Sequence, residues 1–536
     1  MTTIDKPTPG SPTPGGSTPS RPTSAAAPRG GVEINGINTI AESERKGRAR
    51  SLFWPWFGAN VSVLGISYGS FVLGFGISFL QATIVGVIGI VVSFLFCGVI
   101  ALAGKRGSAP TMVLTRATFG VRGSRVPAVL SWILSVGWET VLTALAVLAT
   151  STVFTRLGFD GGVGTKIAAL IVVAALIVGA GIAGFDLIMK LQFWITVITA
   201  VLTVVYIVLT LPNIDLAKVA AVPAGSGQAL IGAFVFIMTG FGLGWVNAAA
   251  DYSRYLPRKT RSSGVVGWTA FGASLGPVVL LIFGLLLAAS SSKLNTAIAA
   301  DPIGALTTIL PVWFLIPFAL VAVLGLVGGA VLNIYSSGLA LLSAGIRIPR
   351  PAAAGIDGVV TILGSIFVVF IAKDFFVPFQ GFLITLGTPI AAWCGIMLAD
   401  VLLRRKAYAQ TELYSMKGRY GDIRWLPIGL IVVGTGLGWG LVTNAAASWL
   451  TWQGYLLGPL GLGGKTGPWA FANLGVLLAL LIGFFGILIF GRAAIRRQEA
   501  LPVTDAAPAS SFAPTSVVAP ASAVTPTSMS APVETP

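Results

Sequence analysis

Histidine is absent from the 536-residue chain, and cysteine occurs only twice, at Cys97 and Cys394. The commonest general base and the usual zinc ligand sets are therefore missing. No phosphate-cradling glycine loop stands in for them. With no clustered catalytic set, an enzyme is not expected, and neither is a cofactor. Charge is scarce as well. Only 10% of the residues are Asp, Glu, Lys or Arg, against about a quarter in a soluble protein. Both cysteines lie in apolar runs and are read as small buried hydrophobes.

What the chain has is apolar sequence: 55% of its residues are hydrophobic and the mean hydropathy is +0.88. Runs close to the ~20 residues that cross a bilayer recur along most of its length. Twelve spans are predicted, at 53–79, 82–103, 126–151, 165–184, 191–212, 227–249, 266–291, 311–343, 358–373, 377–401, 425–448 and 469–492. The short alternating strands of an outer-membrane barrel do not appear. The fold class is an all-α polytopic membrane protein, which should be monomeric.

Residues 1–50 are polar and rich in Pro, Ser, Thr and Gly, with no cleavable signal peptide, so the first span should serve as insertion signal. This stretch and 493–536 are read as disordered tails, with 1–30 and 500–536 having the least capacity for burial. The net charge of +16 invites a nucleic-acid reading, but its distribution argues otherwise. With an inside N-terminus and twelve alternating spans, 28 of the 34 Lys and Arg fall inside. The six outside are Arg156, Lys166, Lys218, Lys293, Lys373 and Lys465. That is the positive-inside bias of a cytoplasmic-membrane protein with both termini in the cytoplasm. Lipid headgroups, rather than nucleic acid, are the expected partner of the basic excess.

Two spans carry unusual glycine density. The first contains "GANVSVLGISYGSFVLGFG" (58–76), and the sixth contains "TGFGLGWVNAAADYSRY" (239–255), where Gly240, Gly242 and Gly244 precede Trp245 and Asn247. Glycine loses the most conformational entropy in a helix, so both stretches are expected to unwind locally. Close helix packing through small residues is the alternative for either one. Together they open two successive five-helix blocks, the arrangement of an inverted-repeat transporter with its site at the midplane. The transporter domain then covers 51–492, divided into a first repeat (51–212), a second repeat (227–401) and two extra helices (425–492).

The third span holds a single carboxylate, Glu139, within "ILSVGWETVLTALAV" (133–147). Every other acidic residue is assigned to a helix end, loop or tail, with Asp186, Asp251 and Asp400 at helix ends. A charge at the centre of a span costs about 2.5–3.5 kcal/mol on insertion scales, so such a residue is functional or paired. Helical spacing puts Ser135, Glu139 and Thr143 in one row and supplies hydroxyl neighbours. No basic residue stands near the centre of any span. Three roles follow: a protonated structural contact, a ligand for a substrate N–H, or a carrier of a coupling proton. Trp138 points about 100° away around the helix and offers a flat surface to a flat ligand, as Trp245 would in the sixth span. Trp54, Trp56 and Trp425 fit the interfacial belts.

These residues resemble the nucleobase:cation symporter-1 family, the purine–cytosine permeases. The likeness runs over most of 33–425. Its motifs are "WFGANVSVLGISYGSFVLGFG", "TRATFGVRGSRVPAVLSWILSVGWE", "GFGLGWVNAAADYSRYLP", "NIYSSGLALLSAGI" (333–346) and "GTPIAAWCGIMLADVLLRRKAY" (387–408). The resemblance implies a LeuT-like five-plus-five inverted repeat plus two helices. It also implies an aromatic heterocycle held between an aromatic of span three, at Trp138, and one of span six, at Trp245 or nearer Gly242 and Gly244. A ligand-binding asparagine of span eight falls on Asn333, and polar backbone at the span-one break falls near Ser67. Two positions depart from the family. Leu142 replaces an asparagine one turn after the tryptophan, and "GLVGGAVLN" (325–333) lacks the hydroxyls of sodium-coupled members. Sodium wants oxygen ligands, so proton coupling through Glu139 is favoured.

The sequence therefore reads as a symporter importing a nucleobase or related heterocycle (cytosine, a purine, allantoin or a hydantoin) with protons. A sodium-coupled carrier of another heterocycle such as a vitamin is the alternative. A passive channel is disfavoured because no ring of charges is present.

Overall fold

Apolar runs of this length can pair their backbone groups inside a bilayer only as helices, and helices are what the chain forms. The computed structural model describes residues 36–183, 185–372 and 375–502. The expected tail stretches 1–30 and 503–536, Lys373 and the side chain of Asp186 lie outside the described residues. Among the described residues, ten helices are long and apolar enough to cross a membrane, or eleven when the bent pair Ala49–Asn60 and Leu64–Leu73 counts as one. A shorter apolar helix, Trp425–Trp439, stands where the eleventh span is expected. Both described ends meet the 404–424 segment. The Tyr414 hydroxyl donates to the Ile37 carbonyl, and Arg419 donates to the Leu501 carbonyl at 3.2 Å. These contacts place both described ends on one face, which we call the terminal face.

The tails are shorter than the composition suggests. Residues 36–45 pack on the body because their polar groups find fixed partners. Arg45, 5% exposed, donates to the Leu256 carbonyl at 2.8 Å and to the Lys105 carbonyl at 2.5 Å. The Ile40 amide donates to the Ser108 carbonyl at 2.8 Å, and Arg254 donates to the Gly36 carbonyl at 3.2 Å. At the other end the last span, Leu474–Ala500, stays helical beyond residue 493. Buried Gln498 accepts from Arg404 and donates to the Ala117 carbonyl at 2.9 Å. A surface clamp joins 119–124 to 421–424 beside these ends. Arg122 Nε donates to Asp422 at 2.7 Å, and this hydrogen bond holds the Asp422 carboxyl below the usual carboxylate range.

The third span, Arg125–Arg156, is the central element. It packs along the eighth (Val312–Ser343) and also touches the fourth (Val163–Ala183), ninth (Arg350–Phe370) and tenth (Phe376–Leu403). The seventh span, Ser262–Ser290, packs on the second and on both halves of the first. Its Gly284 approaches Gly69 so closely that a β-carbon on Gly69 would lie 2.2 Å from the Gly284 carbonyl carbon. The ninth helix starts at Arg350, ahead of the predicted 358. Proline in a first turn forfeits no hydrogen bond, so Pro351 permits a helix that the low apolar content of 350–357 conceals.

Both glycine-rich spans are interrupted, in different ways. The first bends by 66° between Asn60 and Leu64. The break falls on Val61–Val63 rather than on a glycine, while Gly58 and Gly65 serve close packing against Thr196 and Leu280. The sixth span, Gly227–Ser253, is unwound without a sharp bend. Its α-helix stops at Gly240, and two 3₁₀ turns, Gly242–Gly244 and Val246–Ala248, replace it before a last α-turn.

Candidate substrate site and buried carboxyl pair

The site grows from the third span where it passes the unwound stretch of the sixth. Trp138, 8% exposed, lies against Gly244, and a β-carbon there would meet the indole Nε1 at 2.8 Å. Phe379 and Phe382 of the tenth span meet the same indole edge-on, with ring centroids 5.6 and 6.1 Å away. The Trp138 N–H has no hydrogen-bond partner although it is buried. One turn on, Leu142 faces the eighth span: a β-carbon on Gly329 would lie 3.0 Å from Leu142 Cδ1 and 3.5 Å from the Ala59 carbonyl oxygen. The third, first and eighth spans thus converge beside the first break. Asn333, one turn after Gly329, is 3% exposed and donates back to the Gly329 carbonyl at 3.2 Å.

Other candidates are placed differently from the expectation. Trp245 is buried, but its ring stands edge-on to Trp56 at 5.9 Å. Trp56 is itself 1% exposed and also meets Tyr252, so it is no belt residue; Trp54 and Trp425, both exposed, fit the belts. Gly242 backs onto the second span. Its amide donates to Ser93 Oγ at 3.1 Å, and its carbonyl accepts from Cys97 at 3.2 Å. The peptide of Gly242 is satisfied by protein and is not free for a ligand. Ser67 lies past the break, and its hydroxyl donates to the Pro302 carbonyl at 2.6 Å. The polar residue in the break is Ser62.

The broken backbone has its own support. Tyr68 donates to the Gly240 carbonyl at 3.2 Å and packs on Phe241 at 4.5 Å. Asn247 donates to the hydroxyls of Ser131 and Ser135 at 2.9 and 3.0 Å, which leaves its carbonyl oxygen unpartnered. Ser135 is thereby committed to Asn247 rather than to Glu139.

Glu139 is fully buried, and its hydroxyl partner comes from another helix: Thr361 of the ninth span donates to Oε2 at 3.1 Å. Oε1 has no partner, and neither has the Thr143 hydroxyl of its own row. Nor is Glu139 the only carboxyl inside the bundle. Asp357, assigned by sequence to a loop, is 0% exposed in the ninth helix. It accepts from the Trp132 indole at 2.6 Å and from the Ser337 hydroxyl at 2.8 Å. Its signal was the i, i+4 spacing to Thr361 once the helix is extended back to Arg350. Asp251 and Asp400 do lie near helix ends, the first held by Thr111 and the second by Arg404.

Interrupted spans around a buried, partly unsatisfied polar centre define a multi-pass membrane permease, a transporter and not an enzyme. A family model described as permease for cytosine/purines, uracil, thiamine, allantoin matches residues 39–458, and the chain belongs to that family, the nucleobase:cation symporter-1 permeases. It is 25% identical over 415 residues to YxlA of Bacillus subtilis (strain 168), whose name places it with the purine-cytosine permeases. That alignment covers 74% of this chain and 85% of the relative. The fold resembles that of Mhp1, a nucleobase-cation-symport-1 family transporter in a closed conformation with bromovinylhydantoin bound. There the TM-score is 0.64 at 20% identity, covering 87% of this chain and 100% of the other. A Na+-coupled sialic acid symporter aligns with a TM-score of 0.53 at 12% identity, over 86% of this chain and 92% of its own. These likenesses establish the fold: the LeuT-like architecture of inverted repeats.

Proposed function

We propose that the chain imports a nucleobase or related heterocycle of the cytosine, purine, allantoin or hydantoin class by proton symport, with the terminal face in the cytoplasm. The observation that carries this reading is the Trp138 indole, buried beside the unwound Gly242–Gly244 turn with its N–H unpartnered. A flat ring can stack on that indole, and the edge of a base alternates the donors and acceptors that Asn333 and the free carbonyl of Asn247 complement. Next to Trp138 in sequence, Glu139 is a buried carboxyl with one oxygen free, suited to carry a proton. A proton there favours binding from outside, and its release inside follows the substrate as the repeats rock about the site. The basic terminal face and the lipid-facing apolar surface fit a cell-membrane permease.

Sodium coupling is the second reading, and one observation favours it. A β-carbon on Gly325 would lie 3.3 Å from the Val61 carbonyl oxygen and 3.4 Å from Ser62 Oγ, so the first break presents two oxygens to the eighth span. Two oxygens fall short of the set a hard cation requires. Uptake of radiolabelled cytosine and hypoxanthine separates the readings. We expect saturable accumulation that collapses with a protonophore and survives removal of sodium. A strict sodium requirement would overturn proton coupling, and uptake that never exceeds equilibration would indicate a pore.

A further inference from the structure

We propose that Asp357 is a second proton-carrying residue, which takes the coupling proton from Glu139 and passes it toward the terminal face. The inference rests on the proton-symport reading. Its basis is geometric. Glu139 and Asp357 come from the third and ninth spans and are both 0% exposed, and Thr361, which donates to Glu139, lies one turn after Asp357 on the ninth helix. Ser337 of the eighth span stands beside both and donates to Asp357 Oδ2.

The donors are divided unequally. Asp357 has a donor on each oxygen, Trp132 on Oδ1 and Ser337 on Oδ2. That arrangement suits a carboxylate, since charge-assisted hydrogen bonds are the strong ones. Glu139 accepts from Thr361 on Oε2, with the Ser337 hydroxyl close by, and keeps a buried Oε1 without a hydrogen bond. A buried carboxyl with one oxygen unpartnered is a costly place for a full negative charge, so this arrangement suits the neutral acid. Two adjacent carboxyls away from water do not both ionise, so the pair holds at least one proton and acts as a unit.

Among the described residues no cation neutralises the pair. The helices packed around it are the third, fourth, eighth, ninth and tenth spans. Their other titratable or charged groups are Arg125, Arg156, Lys166, Tyr335, Arg350, Cys394 and Asp400. Arg125 lies at Gly345 on the terminal face, and Arg156 and Lys166 lie at the opposite ends of their helices. Arg350 donates to the Gly181 carbonyl and covers the Tyr335 ring, and Asp400 is bridged to Arg404. Cys394 is buried in the tenth helix. Among the described residues none of them hydrogen-bonds Glu139 or Asp357.

Direction follows from helix polarity. The third and ninth helices both start at the terminal face, and Asp357 lies one turn nearer that face than Thr361, the partner of Glu139. In the transfer the Glu139 acid becomes a carboxylate as the Asp357 carboxylate becomes an acid. Asp357 then releases the proton to water on the terminal side, and no other group changes state.

The test compares Glu139→Gln with Asp357→Asn in proteoliposomes holding the full chain, using radiolabelled cytosine or hypoxanthine, whichever the wild type accumulates. Asp357→Asn is expected to keep substrate exchange within about threefold of wild type. It should lose at least tenfold of pH-driven accumulation, as should Glu139→Gln, while Asp357→Glu restores most of it. Wild-type accumulation by Asp357→Asn, with Glu139→Gln still defective, would sink the second carrier and leave the first. Wild-type accumulation by both, with no response of the wild type to a pH gradient, would instead sink proton symport itself. If Asp357→Asn does not fold, Trp132→Phe removes one donor and keeps both carboxyls. It should move the half-maximal pH of transport upward, and an unmoved profile would count against the proposal.

Discussion

Gly244 and the Trp138 indole are in van der Waals contact, with room between them for a hydrogen and no more: a β-carbon at Gly244 would sit 2.8 Å from Nε1. Gly244→Ala must therefore push the indole off its position or shift the 3₁₀ turn. Ligand affinity, read by thermal shift against cytosine and hypoxanthine, should fall at least tenfold. Combining it with Trp138→Phe should cost less than the sum of the two, because the smaller ring leaves space. Strict additivity would show that Gly244 acts elsewhere.

Trp138→Ala removes the flat surface. Base–aromatic stacking is worth ~1–3 kcal/mol, and about 1.4 kcal/mol is tenfold in affinity. Binding should weaken by one such contact, with Trp138→Phe falling between the two. An affinity unchanged in Trp138→Ala would take the indole out of the site.

Gly284→Ala tests the joint between the first and seventh spans. The new β-carbon would stand 1.9 Å from the Ile66 carbonyl oxygen, a backbone atom that cannot rotate aside. Overpacking of this kind costs about 1–3 kcal/mol. The purified variant should melt below wild type in detergent, and an equal melting temperature would mean that the two helices separate freely.

The Arg122–Asp422 clamp predicts a pH response at the surface. Arg122 holds the Asp422 carboxyl below its usual range, so the clamp is fully made above the ordinary carboxylate pKa and is lost as pH falls through the lowered value. Protease sensitivity of 404–424 should rise on acidification through that range, and Asp422→Asn should show it already at neutral pH. Equal cleavage of variant and wild type at pH 7 would assign the segment's order to its other bonds.

The features that announce themselves locally were legible. Hydropathy located the spans, and glycine density marked the two interrupted ones, although the first break fell on Val61–Val63 between the glycines. Trp138 was legible because an indole at mid-span is out of place. Trp54 and Trp56 stand two apart on one α-helix and so point in nearly opposite directions. Trp54 and Trp56 were grouped together, yet one faces outward and the other is buried against Trp245. Gly242 and Gly244 bound a 3₁₀ turn that sends them to different neighbours, and only the second faces Trp138. Asp357 was missed for a different reason. Its helix begins with "RPAAAGID", too poor in large apolar residues to register as a span, and its partner Trp132 is 225 residues away in the chain. Pairings that far apart leave no periodic trace.

Arg45 grips the carbonyls of Lys105 and Leu256, which close the second and sixth helices, while Ile37 is held by Tyr414. These bonds fasten the two helix ends to each other on the terminal face. The first described residues thereby tie the ends of the second and sixth helices to the 404–424 segment, outside the apolar spans.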